Sequence, residues 1–195
     1  MDNTKNILRS ATDFALYTAR SFISPGDVLV DATCGNGRDT VFLASCHPSK
    51  LYAFDLQPEA IASTRKLLSA SGYEDMLRSG SIVLINDTHC RIPHHVPERP
   101  GVIMFNLGYL PGGSRDITTK ADSTLEAVKG CLSILRPDGL ISVTMYSGHE
   151  QGAEERDVLI DFARSLDPSR YHVSAVSMIN QRRHPPENLF ITLKP

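Results

Sequence analysis

The chain has 195 residues, 41% apolar and 22% charged, with 20 basic against 22 acidic side chains and a formal net charge of −2. That length corresponds to about one domain at ~150 residues per domain, and the balanced composition excludes disordered, collagen-like and coiled-coil architectures. No apolar run approaches the ~18 residues of a membrane span, and the N-terminus lacks the basic-then-apolar order of a secretion signal. A soluble, cytoplasmic protein without a membrane partner is expected. Cys34, Cys46, Cys90 and Cys131 are scattered without a CxxC pair, which fits free thiols better than a disulfide framework or a zinc site. Near-neutral charge argues against coating nucleic acid through a broad basic face, while leaving a specific RNA pocket open.

No repeat or linker interrupts the sequence, so residues 1–195 read as one domain. Ile7, Leu8, Ala11, Phe14, Ala15, Ala19 and Phe22 recur at helical spacing, predicting an N-terminal amphipathic helix before the turn Ser24-Pro25-Gly26-Asp27. Strand-like runs follow at Val28–Ala32, Leu51–Phe54, Ile82–Ile85, Val102–Phe105 and Leu140–Met145, alternating with helical stretches at Asp39–Cys46, Pro58–Ser71 and Ala121–Leu135. This alternation implies parallel strands with right-handed crossovers, an α/β doubly wound sheet. After a helix near Glu154–Leu166 the rule breaks. Tyr171–Met178 and Leu189–Leu193 are separated by only the stretch Ile179 to Asn188. A parallel crossover needs a dozen or more residues, so these two runs must pair as an antiparallel hairpin.

Val28-Leu29-Val30-Asp31-Ala32-Thr33-Cys34-Gly35-Asn36-Gly37-Arg38-Asp39-Thr40 reads as a strand entering a glycine turn and then a helix. Gly35 and Gly37 allow close approach of backbone to a ligand, and the helix start offers free N–H groups. A dinucleotide fingerprint would need a third glycine where Thr40 stands, which disfavours a pyrophosphate cradle and a nicotinamide-dependent oxidoreductase. The second strand ends at Asp55 and Gln57, placing a carboxylate where it can accept ribose hydroxyls. The third ends in Asn86-Asp87-Thr88-His89. Asp31, Asp39 and Asp55 also have a plain reading as turn, cap or helix-dipole carboxylates. His89, Cys90, His94 and His95 crowd one segment, but Pro93 and Pro97 break it and no metal-ligand spacing emerges, so no metal is expected.

Seven strands with the last reversed resemble the Rossmann-like class I methyltransferases, and the first turn resembles their S-adenosylmethionine motif, with Thr33 in place of its first glycine. The fourth strand runs into Phe105-Asn106-Leu107-Gly108-Tyr109-Leu110-Pro111-Gly112-Gly113, then Ser114-Arg115-Asp116-Ile117-Thr118-Thr119. Its position matches the Asn-Pro-Pro-Tyr motif of amino-methylating enzymes, with Leu107-Gly108 replacing the two prolines. Together with DATCGNGRDT, FDLQ, Tyr146-Ser147-Gly148-His149 and Asn180-Gln181-Arg182-Arg183-His184-Pro185-Pro186, this segment resembles, across nearly the whole chain, one family: the bacterial tRNA 5-aminomethyl-2-thiouridine methyltransferases, formerly labelled rRNA methylases. Ser114, Ser147 and Arg183-His184 depart from the residues common there.

The resemblance implies methyl transfer from S-adenosyl-L-methionine to the aminomethyl nitrogen of the tRNA wobble uridine. Asp31, Gly35, Asn36, Gly37, Asp39, Asp55, Gln57, Asp87, Thr88 and His89 would form the cofactor pocket, the last three beside the adenine. Asn106 and Tyr109 would orient and cover the acceptor, and Asp116 or His149 would take the proton. The expected partner is tRNA, engaged at its anticodon stem-loop, with Arg115, Arg182 and Arg183 as phosphate contacts. A homodimer is compatible with the sequence. Methyl transfer to another RNA base or to a small amine is the alternative within the same chemistry; a non-catalytic protein that binds S-adenosylmethionine or RNA is the competing class, and Asn106 with Tyr109 argues against it.

Overall fold

The computed structural model describes residues 8–108, 121–148, 150–181 and 185–195. In chain order the elements are α1 (Ala11–Phe22), β1 (Val28–Asp31), α2 (Arg38–Ala44), β2 (Lys50–Asp55), α3 (Pro58–Ala70), α4 (Glu74–Arg78), β3 (Ile82–Asn86), α5 (Ile92–His95), β4 (Val102–Asn106), α6 (Ala121–Ile134), β5 (Leu140–Met145), α7 (Glu150–Arg164), β6 (Tyr171–Val176) and β7 (Glu187–Leu193). A single 3₁₀ turn, His89–Arg91, leads into α5. No helix among the described residues is long and apolar enough to cross a membrane.

The strands form one seven-stranded sheet in the order β3-β2-β1-β4-β5-β7-β6. β1 to β5 are mutually parallel, and β7 runs antiparallel to both β5 and β6. Neighbouring residues along each central strand point into different layers, as a pleat requires. Leu29, Leu51, Val102 and Leu140 pack with Ala15, Ala19, Leu43 and Leu68 from α1, α2 and α3. Val30, Tyr52, Ile103 and Ile141 pack with Val128, Cys131, Leu159 and Ile160 from α6 and α7. Covering both faces explains why these strands read as continuous apolar runs.

Two reversals make β6 parallel to β1–β5, so the turn between β6 and β7 leaves the sheet at the same edge as the carboxyl ends of the parallel strands. The register shows this directly. Asn106 is opposite Thr144, Thr144 opposite Asn188, and Asn188 opposite Val176. In doubly wound sheets this is the edge at which ligands bind.

Three sequence expectations need correction. The N-terminal helix starts at Ala11, where the Ser10 side chain accepts the Asp13 N–H at 3.0 Å, so Leu8 lies outside it and is 71% exposed. An Asn188 side-chain N–H donated to the Ala11 carbonyl at 2.8 Å anchors that start to the sheet. α7 begins at Glu150, earlier than expected. The segment around His94 is helical, because Pro93 stands at the first turn of α5, where its missing N–H would have no partner anyway.

Candidate active site

The ends of β2 and β4 meet the glycine turn that follows β1, through Asp55 and Asn106. Gly35 and Gly37 have φ of 50° and 84°, in the left-handed region that favours glycine. At Gly37 a Cβ would also lie 2.8 Å from the Thr64 Cα on α3, so the two helices approach over a bare backbone. The Asp55 carboxylate bridges two turns: Oδ2 accepts the Gly35 N–H and Oδ1 the Gln57 N–H, each at 2.9 Å. Burial pushes Asp55 above the usual carboxylate range, and these N–H bonds pull it back. Each oxygen keeps acceptor capacity for a further donor such as a ribose hydroxyl. Gln57 is buried at the start of α3, and Asn36 is exposed, its Oδ1 accepting from Ser63 at 3.4 Å.

At the end of β3 the Asp87 carboxylate is largely engaged. Oδ1 accepts the Thr88 N–H at 2.8 Å, and Oδ2 meets His95 Nε2 at 2.9 Å and Arg91 Nε at 3.5 Å. The His95 bond and the Thr88 N–H hold Asp87 below its ordinary pKa. Asp87 therefore shapes the loop, while Thr88 caps the 3₁₀ turn. His89 lies edge-on to Phe105 with ring centroids 6.0 Å apart, and burial pushes its pKa down to about 4. Its ring is neutral at pH 7, and Nε2 is buried without a partner.

Asn106, at the end of β4, is held on two sides, from the glycine turn and from the first turn of α2. Its N–H donates to the Thr33 hydroxyl at 2.7 Å and its side-chain Nδ2 to Asp39 Oδ2 at 3.2 Å. Asp31 lies beneath, 1% exposed, accepting the Thr40 hydroxyl at 2.6 Å and the Thr33 N–H at 3.2 Å. Burial, with the nearby Asp39 charge, raises Asp31 to about 7, and burial raises Asp39 also, against the Asn106 bond and Arg38. Cys34, buried in the same turn, is pushed well above the ordinary thiol range by burial and is therefore inert as a nucleophile.

The structure thus brings Asp31, Gly35, Asn36, Gly37, Asp39, Asp55, Gln57, Asp87, Thr88, His89 and Asn106 to one edge of the sheet. Tyr109, Arg115, Asp116, His149, Arg182 and Arg183 lie outside the described residues. Among the described residues no group of three or more His, Cys, Asp or Glu is placed to hold a metal ion. Two residues outside the expected site also hold it together: the Asn86 side-chain N–H groups donate to the Asp55 and Leu56 carbonyls at 3.0 Å, and the Thr33 hydroxyl accepts the Asn106 N–H at 2.7 Å. The signal for Thr33 was present as a hydroxyl residue standing where a glycine was expected.

Residues 51–192 match the family model described as "Putative rRNA methylase". The chain belongs to this family. A member-like crystal structure, described as a "putative rRNA-methylase" from Clostridium thermocellum, superposes with a TM-score of 0.88 at 33% identity, covering 94% of this chain and 97% of the other. A "putative methyltransferase" from Streptococcus mutans, solved in complex with SAH, gives 0.82 at 31% identity, covering 94% and 97%. A chloroplastic tRNA (mnm(5)s(2)U34)-methyltransferase of Arabidopsis thaliana is 39% identical over 183 residues, 89% of this chain. This rRNA methylase family chain spans 66% of that relative's length. The fold is the Rossmann-like class I methyltransferase fold.

Proposed function

We propose that the chain transfers a methyl group from S-adenosylmethionine to the aminomethyl nitrogen of 5-aminomethyl-2-thiouridine at the wobble position of tRNA. The observation that carries this reading is the 39% identity to a tRNA (mnm(5)s(2)U34)-methyltransferase over 89% of the chain. The site supports it. Asp55 retains acceptor capacity at a strand end, and Gly35 and Gly37 leave bare backbone at the turn. The buried, unpartnered Nε2 of a neutral His89 suits a hydrogen bond to a heterocycle edge. These features fit S-adenosylmethionine, with Asp55 on the ribose, Thr88 and His89 on the adenine, and Asn36, Gln57 and the glycine turn framing the rest.

S-adenosylmethionine, when bound, supplies an electrophilic methyl on a cationic sulfur. The acceptor amine must be neutral to attack, yet an alkyl amine with a pKa of about 10 is only about one part in a thousand neutral at pH 7. Partial desolvation against the Asn106 loop lowers that pKa and favours the reactive form. The Asn106 side-chain carbonyl accepts an amine hydrogen and aims the nitrogen for in-line displacement. Tyr109 packs on the base, Asp116 or His149 receives the proton, and Arg115, Arg182 and Arg183 contact RNA phosphates. The anticodon stem-loop is the part of tRNA that presents the wobble base.

Incubation of the protein with methyl-labelled S-adenosylmethionine and tRNA that carries or lacks the aminomethyl group tests the reading. Label should enter only the aminomethylated tRNA. Equal labelling of both would overturn the acceptor assignment, and tight NADH binding without S-adenosylmethionine binding would overturn the cofactor.

A further inference from the structure

We infer that Thr33, in the turn after β1, and Asp39, in the first turn of α2, are positioning residues that fix the amide of Asn106 so that its carbonyl oxygen faces the methyl acceptor. The inference deepens the proposed function and rests on it. A side-chain amide has two ends of opposite hydrogen-bonding sense, and only the oxygen can accept from an amine. Something must therefore decide which end faces the substrate. A rotation of the amide by half a turn would present two N–H donors to the nitrogen's hydrogens and abolish the orienting bond.

Two hydrogen bonds make that decision. Thr33 Oγ1 accepts the Asn106 backbone N–H at 2.7 Å, which fixes where the residue leaves β4. Asp39 Oδ2 accepts from Asn106 Nδ2 at 3.2 Å, which fixes the side chain. Because Asp39 Oδ2 is the acceptor of this bond, the NH2 end of the amide faces Asp39 and the oxygen faces away from it. Among the described residues, no donor is bonded to Asn106 Oδ1. Asp39 stands in the first turn of α2 and is 8% exposed, and Thr33 takes the position where a glycine was expected. Glycine could supply no hydroxyl there. Sixty-seven residues separate Asp39 from Asn106, so the contact exists only because the β1–α2 turn and the β4 end share one sheet edge. The expected role of Asp39 as a cofactor ligand becomes a role toward the acceptor, and the turn that cradles the cofactor also aims the nucleophile.

The test combines kinetics on aminomethylated tRNA, calorimetric titration with S-adenosylhomocysteine and NMR of the Asn106 side-chain amide. Asp39→Ala should lower kcat at least tenfold while leaving the S-adenosylhomocysteine Kd within twofold. Asp39→Asn, which can still present an oxygen to Nδ2, should recover most of the lost kcat. Thr33→Val should lower kcat and Thr33→Ser restore it, so a usable pair remains if Asp39→Ala folds poorly. In an Asn106→Ala background, Asp39→Ala should cost nothing further in kcat, because the group it aims is gone. A tenfold weaker Kd in Asp39→Ala would make Asp39 a cofactor ligand, and equal loss in Asp39→Asn and Asp39→Ala would make it a proton acceptor; either overturns the inference. The hydrogen-bonded Asn106 amide proton should shift upfield in Asp39→Ala, and an unmoved resonance would also overturn it. That readout needs no turnover, so absence of activity in the wild-type chain would defeat the methyltransferase reading while leaving the positioning contact separately tested.

Discussion

Asp55→Asn separates the structural from the ligand-binding work of one carboxylate. In the wild-type chain both oxygens accept a backbone N–H at 2.9 Å, from Gly35 and from Gln57. An amide has one acceptor and one donor end, so whichever way it turns, one of those N–H groups faces an NH2. Leaving a donor unpaired costs about 1–3 kcal/mol where it is buried, and less at the half-buried Asp55. For a chain of this size each kcal/mol moves Tm by about 2–4 °C, giving a fall of about 2–12 °C. Relief of the burial penalty on the charge, which raises the Asp55 pKa, places the result toward the lower end. Cofactor binding should suffer separately. Loss of one charge-assisted bond to a ribose hydroxyl, about 1.5–3 kcal/mol, weakens Kd by about tenfold to a hundredfold. Thermal unfolding with and without S-adenosylhomocysteine reads both quantities, because ligand stabilisation follows RT ln(1 + [L]/Kd). A variant that unfolds at the wild-type temperature and keeps the full ligand-induced rise would show that Asp55 neither braces the turn nor binds the ligand.

Raising the Asp31 pKa from 3.8 to about 7 means that the folded chain holds a proton there which the unfolded chain releases, so this group's contribution to stability declines as pH rises between about 4 and 7. The stability of Asp31→Asn relative to wild type, from urea unfolding, should therefore improve across that window, and a pH-independent difference would contradict the assignment. His89 should titrate near pH 4 in ring-nitrogen NMR spectra, and its contribution, present above about 6.5, should fade as pH drops through about 4; an ordinary midpoint would mean the ring is solvated. Gly37→Ala combines a left-handed backbone at φ 84° with a Cβ 2.8 Å from the Thr64 Cα. It should lose about 2–5 kcal/mol in chemical denaturation, and a loss under 0.5 kcal/mol (about the noise of a surface change) would show that the turn can relax. Replacing Arg182 and Arg183 by Ala should reduce the slope of log binding constant for tRNA against log salt by about one per lost phosphate contact, and an unchanged slope would place the RNA-facing surface elsewhere.

Much of the fold was legible because its signals are local. The run Leu140–Met145 matches β5 residue for residue, and the short link after Tyr171–Met178 forced the antiparallel pairing that the register shows. That same reversal settles which edge the β6–β7 turn occupies, a point the sequence left open because it depends on how β6 pairs. α4 escaped notice because Glu74–Arg78 is too short to establish a period, and α5 because Pro93 reads as a breaker unless its first-turn position is known. Leu8 continues the helical spacing but precedes the Ser10 cap, so periodicity overran the helix start. The candidate site residues stood out in the sequence as polar strand ends. Their partners did not. Nothing in the sequence links Asn106 to Thr33 and Asp39, or Asp55 to the Gly35 N–H, because those contacts arise between elements far apart in the chain. The bonds of Asp55 to Gln57 and of Asp87 to Arg91 and His95 are local, but they depend on the turn each strand end makes, which spacing alone does not give.

Methyl transfer to one exocyclic nitrogen leaves a mass signature that nucleoside mass spectrometry reads. tRNA bearing 5-aminomethyl-2-thiouridine, incubated with the protein and S-adenosylmethionine carrying a trideuterated methyl, should yield a wobble nucleoside heavier by one labelled methyl, with fragmentation placing the label on the aminomethyl nitrogen. Label on a ring atom, on a ribose or on another nucleotide would rule out the aminomethyl nitrogen as the acceptor.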